Sequence, residues 1–203
     1  IAGFFTAKFK MHPFISTMAN MLVIFGLVTY STKGVSFGGI EGNIPSMIIP
    51  KIGGFPTIIL WAIAAVIIVW FIWNKTTFGK NMFAVGSNPE AAKVSGVNVM
   101  KTTILVHTLA GAMYGLTGFI ESSRIGSNTA NTGLNYECDA IAACVIGGVS
   151  FVGGTGKISG VVLGVFLLRI IFVALNFLSI NMNMQYVIKG LIILVACAID
   201  MRK

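Results

Sequence analysis

The sequence predicts an all-α fold: a polytopic membrane helix bundle with one short broken or re-entrant element. Three observations carry this expectation. The 203 residues are 56% hydrophobic and 10% charged, with a mean hydropathy of +0.89, more apolar surface than a soluble core covers with so few charges. Apolar segments recur at lengths near the roughly 20 residues a helix needs to cross the hydrocarbon core. The 24 glycines include spacings that let helix backbones approach closely in lipid.

The segments follow in order. Ile1-Ala2-Gly3-Phe4-Phe5 has neither an initiator Met nor a signal-peptide pattern and reads as the later part of a longer protein or a trimmed form. Apolar runs then occupy Phe14–Tyr30, Phe55–Asn74, Thr102–Ile120, Ala140–Gly153, Ile158–Leu178 and Met184–Ile199. The fourth run is short and glycine-rich, and it is the candidate broken element. Backbone of that kind is tolerated at membrane depth only where protein or a water-filled cavity surrounds it. The whole of 1–203 reads as one transmembrane domain with a polar loop at about 75–101.

Charge sets the expected orientation. With six crossings, one side holds Lys8, Lys10, Lys75, Lys80, Lys93, Lys101, Lys157, Arg202 and Lys203, and the other holds Lys33, Lys51 and Arg124. Basic residues concentrate on the cytoplasmic side of membrane proteins, so both ends and the 75–101 loop are expected there. The formal charge of +8 is therefore a topology signal. No basic run with interleaved aromatics suggests nucleic acid.

Within that loop, Ser87-Asn88-Pro89-Glu90-Ala91-Ala92-Lys93-Val94-Ser95-Gly96 predicts a short polar helix. Asn88 can cap it with Pro89 at the first helical position, or Ser87 can cap it in a box closed by Glu90. Gly96 sits where a left-handed cap is wanted. About two turns fit, too few to be stable alone in water, so the helix needs a surface to dock on. Cys138, Cys144 and Cys197 form no paired motif and read as small packing residues. No cofactor or metal is implied.

Glu90, Ala91, Ala92 and Gly96 resemble the EAA loop of ABC-importer permeases. A second, longer pattern points the same way. Gly133, Tyr136-Glu137, Asp139-Ala140-Ile141-Ala142-Ala143, Gly147-Gly148-Val149-Ser150 and Gly153-Gly154-Thr155-Gly156 follow one another in order. With Pro13-Phe14-Ile15-Ser16-Thr17, Asn176, Gln185-Tyr186 and Lys189-Gly190, this is similar to the ribose/galactose branch of that family, and to its galactoside members most of all. Cys138 stands where the family usually has Leu.

The resemblance implies a pore-forming subunit of an ATP-driven sugar importer of the inner membrane, with Glu90, Ala91, Ala92 and Gly96 as the ATPase-coupling residues. It implies a cytoplasmic ATP-binding subunit, an extracytoplasmic sugar-binding protein and a second permease copy as partners. Gly153-Gly154-Thr155-Gly156-Lys157 is no nucleotide loop, because Phe151 and Ile158 break the required pattern at both ends. ATP hydrolysis would belong to the partner.

Interrupted helices commonly line carrier pathways. The expected pathway residues are Asn128, Asn131, Tyr136, Glu137, Asp139 and Arg169, whose amides, aromatic face and few charges suit a neutral sugar. Substrate contact and plain loop chemistry both stay open for Asn128 and Asn131. Arg169, midway along its segment, needs a partner or water, with Asp139 or Glu137 as candidate countercharges. Lys189 reads as a residue snorkelling to the interface, and His107 as a hydrogen-bonded packing residue. Glu121, Glu137 and Arg124 form either a solvated rim or a docking edge. An ion-coupled transporter or channel is the alternative, and Asp139 is the membrane carboxylate it would need.

Overall fold

In the computed structural model the described residues are 1–38, 51–52, 55–150 and 152–200. Phe151, Arg202 and Lys203 lie outside them. The described residues form helices α1 (Ala2–Phe9), α2 (Pro13–Thr32), α3 (Thr57–Lys75), α4 (Thr77–Ser87), α5 (Pro89–Val94), α6 (Val99–Ile125), α7 (Tyr136–Ile146), α8 (Ile158–Phe177) and α9 (Met182–Asp200). Two-residue strands β1 (Phe37–Gly38), β2 (Lys51–Ile52), β3 (Phe55–Pro56) and β4 (Ser127–Asn128) pair antiparallel, β1 with β4 and β2 with β3. At two residues each they leave the fold all-α.

Four helices, α2, α3, α6 and α8, are long and apolar enough to cross a membrane, and α9 carries a shorter apolar stretch, Met182–Ala198. Their outward faces are greasy: Leu22, Ile67, Phe166 and Leu194 are all more than half exposed, as lipid-facing positions are. The element ends follow local chemistry. Asn98 starts α6 by accepting a hydrogen bond from the Lys101 N–H at 2.9 Å, and Gly126 ends it with φ of 72°. The resulting 27 residues run about 40 Å at 1.5 Å per residue, so this helix outreaches the roughly 30 Å hydrocarbon core.

The fourth apolar segment does not form a full span. Its helix α7 has 11 residues, about 16 Å of rise, or half the core. It ends where Gly147 and Gly148 turn the chain, the Gly147 N–H donating to Ala143 O at 2.9 Å and the Val149 N–H to Cys144 O at 3.0 Å. This is the broken element that the glycine content predicts.

The described residues group into two compact units. One comprises Ile1–Met82 and Ala92–Thr132, the other Phe83–Ala91 and Gly133–Lys203. In the first, α1 packs on α2 and α6. The Ser16 hydroxyl donates to Ala2 O at 2.9 Å, and Gly3 lets α1 approach His107, whose Cβ would lie 2.7 Å from an added methyl. His107 Nδ1 lies 2.9 Å from Thr103 O, a packing role bonded to its own helix. At the α3–α4 junction Thr76 donates to Ile72 O at 2.5 Å and accepts from the Gly79 N–H at 3.1 Å, so one side chain ends one helix and starts the next.

In the second unit α7 packs against α8 and α9. Its core is Ala142, Ala143 and Leu168, with Ile146, Phe172 and Ile193 packed around them. The α7–α8 approach is set by glycines. A Cβ on Gly147 would lie 2.5 Å from Gly160 O, and methyls on Gly160 and Gly164 would collide with the carbonyls of Gly147 and Ala143. The other glycine face, Gly111, Gly115 and Gly118 on α6, meets nothing within 4 Å among the described residues.

Candidate functional site

The polar helix of the 75–101 loop forms as α5. Of its two possible caps, the side chain of Asn88 is the one engaged. Asn88 Oδ1 accepts from the Glu90 and Ala91 N–H groups, both at 3.0 Å, satisfying two donors that the helix cannot pair internally. Gly96 closes the other end at φ 83°, its N–H donating to Lys93 O and that of Val97 to Ala92 O, each at 3.0 Å. Glu90 lies in the first turn and Lys93 in the last, matching both helix-dipole ends. Ala92 is buried while Val94 is 91% exposed.

The second unit brings Asp139 together with a residue the sequence reading assigned elsewhere. Lys189 Nζ of α9 forms an ion pair with Asp139 Oδ1 in the first turn of α7. The Lys189 side chain is only 12% exposed, so it does not snorkel. Its ammonium also sits over the rings of Phe172 and Tyr186, 5.1 and 5.4 Å from their centroids, where the electron-rich faces attract it. The dipole of α7 adds a favourable field at Asp139. Periodicity could not have revealed this pair, because it depends on how α7 meets α9.

Asp139 is therefore committed to Lys189 and is not the countercharge of Arg169. Arg169 is exposed on α8 beside an apolar groove with Phe166, Ile170, Val173 and Phe177, and among the described residues it has no hydrogen bond or ion pair. Tyr136 is 47% exposed and Glu137 half-buried, both in the first turn of α7. In the other unit, Asn128 Nδ2 donates to Ser122 Oγ at 2.5 Å, and its backbone pairs with Phe37 in the β1–β4 bridge. Asn131 is exposed in the turn that follows. Glu121 and Arg124 pair with each other through two contacts of 2.6 and 3.0 Å, a local salt bridge at the end of α6.

The family described as "Branched-chain amino acid transport system / permease component" matches residues 1–197. The chain belongs to that permease family. The permease is 47% identical over 208 residues to the galactose/methyl galactoside import permease protein MglC of Treponema pallidum, covering 98% of this chain and 39% of that protein. It is 44% identical over 210 residues to the protein of the same name from Haemophilus influenzae, covering 100% of this chain and 62% of that one. The L-arabinose transport system permease protein AraH of Escherichia coli is similar at 39% identity over 203 residues, with 100% of this chain and 62% of the relative covered. The permease thus spans about two fifths to three fifths of the length of these relatives. No solved structure matches it.

Proposed function

We propose that this permease is the pore-forming membrane subunit of an ATP-driven sugar importer of the inner membrane, with galactose or methyl galactoside as substrate. The observation that carries the reading is the 47% identity to a galactoside import permease across nearly the whole chain. The capped α5 supports it: a six-residue helix that leaves Val94 exposed is suited to seat against a partner.

In this reading 1–203 is one permease domain with both ends in the cytoplasm, and the 75–101 loop faces a separate ATPase dimer. Glu90, Ala91, Ala92 and Gly96 engage the ATPase. An extracytoplasmic binding protein delivers sugar, and a second copy of the permease completes the pathway. Closure of the ATPase moves α5 and shifts the pathway between inward- and outward-open arrangements, a population shift with no covalent chemistry in the permease. Tyr136, Glu137, Asn128, Asn131 and Arg169 line the pathway. Asp139 holds its inner architecture through Lys189, which disfavours the ion-coupled alternative, because the carboxylate that alternative requires is already paired.

The test is competition for uptake in proteoliposomes carrying the intact permease, its ATPase and its binding protein. Labelled galactose uptake should require ATP, and unlabelled methyl galactoside should compete at least tenfold better than ribose. Preferred inhibition by ribose or arabinose would reassign the sugar, and uptake driven by an ion gradient without ATP would refute the importer reading.

A further inference from the structure

The turn that follows α7 is seated on the end of α4, two residues before the Asn88 cap. Gly86 lies in the last turn of α4, and a Cβ placed on it would stand 2.8 Å from Gly154 N and 3.3 Å from Gly154 Cα. Seen from the other side, a Cβ on Gly153 would stand 2.6 Å from Gly86 O, and one on Gly154 would collide with Ser87. Gly153 and Gly154 hold φ of 105° and 72°, left-handed backbone that other residues resist. Gly86 and Gly153 therefore meet backbone against backbone, and the small Ser87 side chain closes the contact beside Gly154.

That contact continues toward the pathway. The Ser150 N–H donates to Thr155 O at 3.2 Å and the Val152 N–H to Ser150 Oγ at 3.2 Å, which ties the turn to itself. Upstream stands the Gly147 end of α7, pressed on Gly160, and at the far end of α7 stands Asp139. Ser87 and Asn88, which begin the coupling segment, thus share a close-packed backbone path with the broken helix. Close-packed protein transmits displacement because it has little free volume to take it up.

We infer that Gly86, Gly153 and Gly154 are positioning residues that carry movement of the docked coupling helix to the broken element α7. The inference rests on the importer reading and names the route by which ATPase closure reaches the pathway. Gly86→Ala isolates it, because Gly86 has no left-handed backbone and only the added methyl is at issue. Gly26→Ala is the matched control, since a Cβ there meets nothing within 4 Å.

The experiment uses proteoliposomes with the intact permease, its ATPase and its sugar-binding protein. Both variants should co-purify with the ATPase and keep basal hydrolysis within twofold of wild type. Gly86→Ala should lower galactose taken up per ATP at least tenfold, and Gly26→Ala should not. Uptake per ATP within twofold of wild type in Gly86→Ala overturns the inference, as does joint loss of assembly and hydrolysis, which would make the contact structural only. A second measurement is independent of that variant's folding. In a permease with its native cysteines replaced by serine, Val152→Cys, at a position 74% exposed, should change its maleimide labelling rate at least threefold when a non-hydrolysable ATP analogue binds. An unchanged rate overturns the inference while leaving the importer reading intact; absence of ATP-driven uptake in wild type overturns both.

Discussion

Lys189 and Asp139 join α9 to the first turn of α7 by an ion pair whose lysine side chain is almost wholly covered. A lone ionised group at the centre of a membrane helix costs about 2.5–3.5 kcal/mol on insertion scales. The pair, the helix dipole and the rings of Phe172 and Tyr186 together offset that cost. Removing one partner leaves the other charged without compensation, a loss of about 3–5 kcal/mol for a fully buried pair. Asp139 is one-third exposed, so the lower end applies.

Lys189→Met should accordingly destabilise the detergent-solubilised permease by about 3 kcal/mol. Asp139→Asn should do less, since an amide can still accept from the ammonium. The exchange Asp139→Lys with Lys189→Asp should recover only part, because it places a cation at the positive end of α7. Thermal unfolding of the four proteins checks this order; equal stability of Lys189→Met and wild type would show that the pair contributes nothing.

Under the proposed importer function, the cap of α5 sets the strength of ATPase docking. Asn88→Ala removes the acceptor for two N–H groups and should cost about 1 kcal/mol of helix stability. On a helix this short the loss is paid at docking, so affinity for the ATPase should fall roughly fivefold, since 1.4 kcal/mol is tenfold. Titrating the ATPase onto permease in nanodiscs measures it. Asn88→Asp, which keeps the acceptor, should bind as wild type does.

Two helix glycines, Gly164 on α8 and Gly111 on α6, should behave oppositely. Gly164→Ala drives a methyl into Ala143 O, and overpacking costs about 1–3 kcal/mol, outweighing the roughly 1 kcal/mol that Ala gains over Gly in a helix. Gly111→Ala has open space around it, so only the propensity gain applies. Differential scanning of the two variants should show a lowered midpoint for Gly164→Ala and an unchanged or raised one for Gly111→Ala.

Arg169 makes no hydrogen bond or ion pair among the described residues, so its charge is not needed to hold α8. Under the proposed pathway role, Arg169→Gln should reduce sugar uptake at least tenfold with the unfolding midpoint unchanged. A shifted midpoint with normal uptake would make it structural instead.

Much of this architecture is legible in the sequence because membrane helices announce themselves by local composition. The spans α2, α3, α6 and α8, the halt of α7 at Gly147-Gly148 and the capped α5 all follow from hydropathy and capping rules that act within a few residues. Helices α1 and α4 are hidden for the same reason: Ala2–Phe9 and Thr77–Ser87 are short, and what holds them is Ser16 on Ala2 O and the double role of Thr76. The candidate site divides along the same line. Asn88 and Gly96 are local and readable, whereas the partner of Asp139 is a tertiary fact. Lys189 looked like a snorkelling residue because its sequence neighbours resemble a helix end, and only the packing of α9 on α7 turns it inward.

The most direct test of the account is ATP-dependent galactose uptake by the intact transporter carrying Glu90→Ala and Gly96→Pro, beside wild type. Gly96→Pro abolishes the left-handed cap and the N–H bonded to Lys93 O, and Glu90→Ala removes the first-turn acid. The account predicts that uptake falls at least a hundredfold while the permease still folds and inserts. Uptake at the wild-type rate, or uptake that follows an imposed ion gradient and ignores ATP, would contradict it.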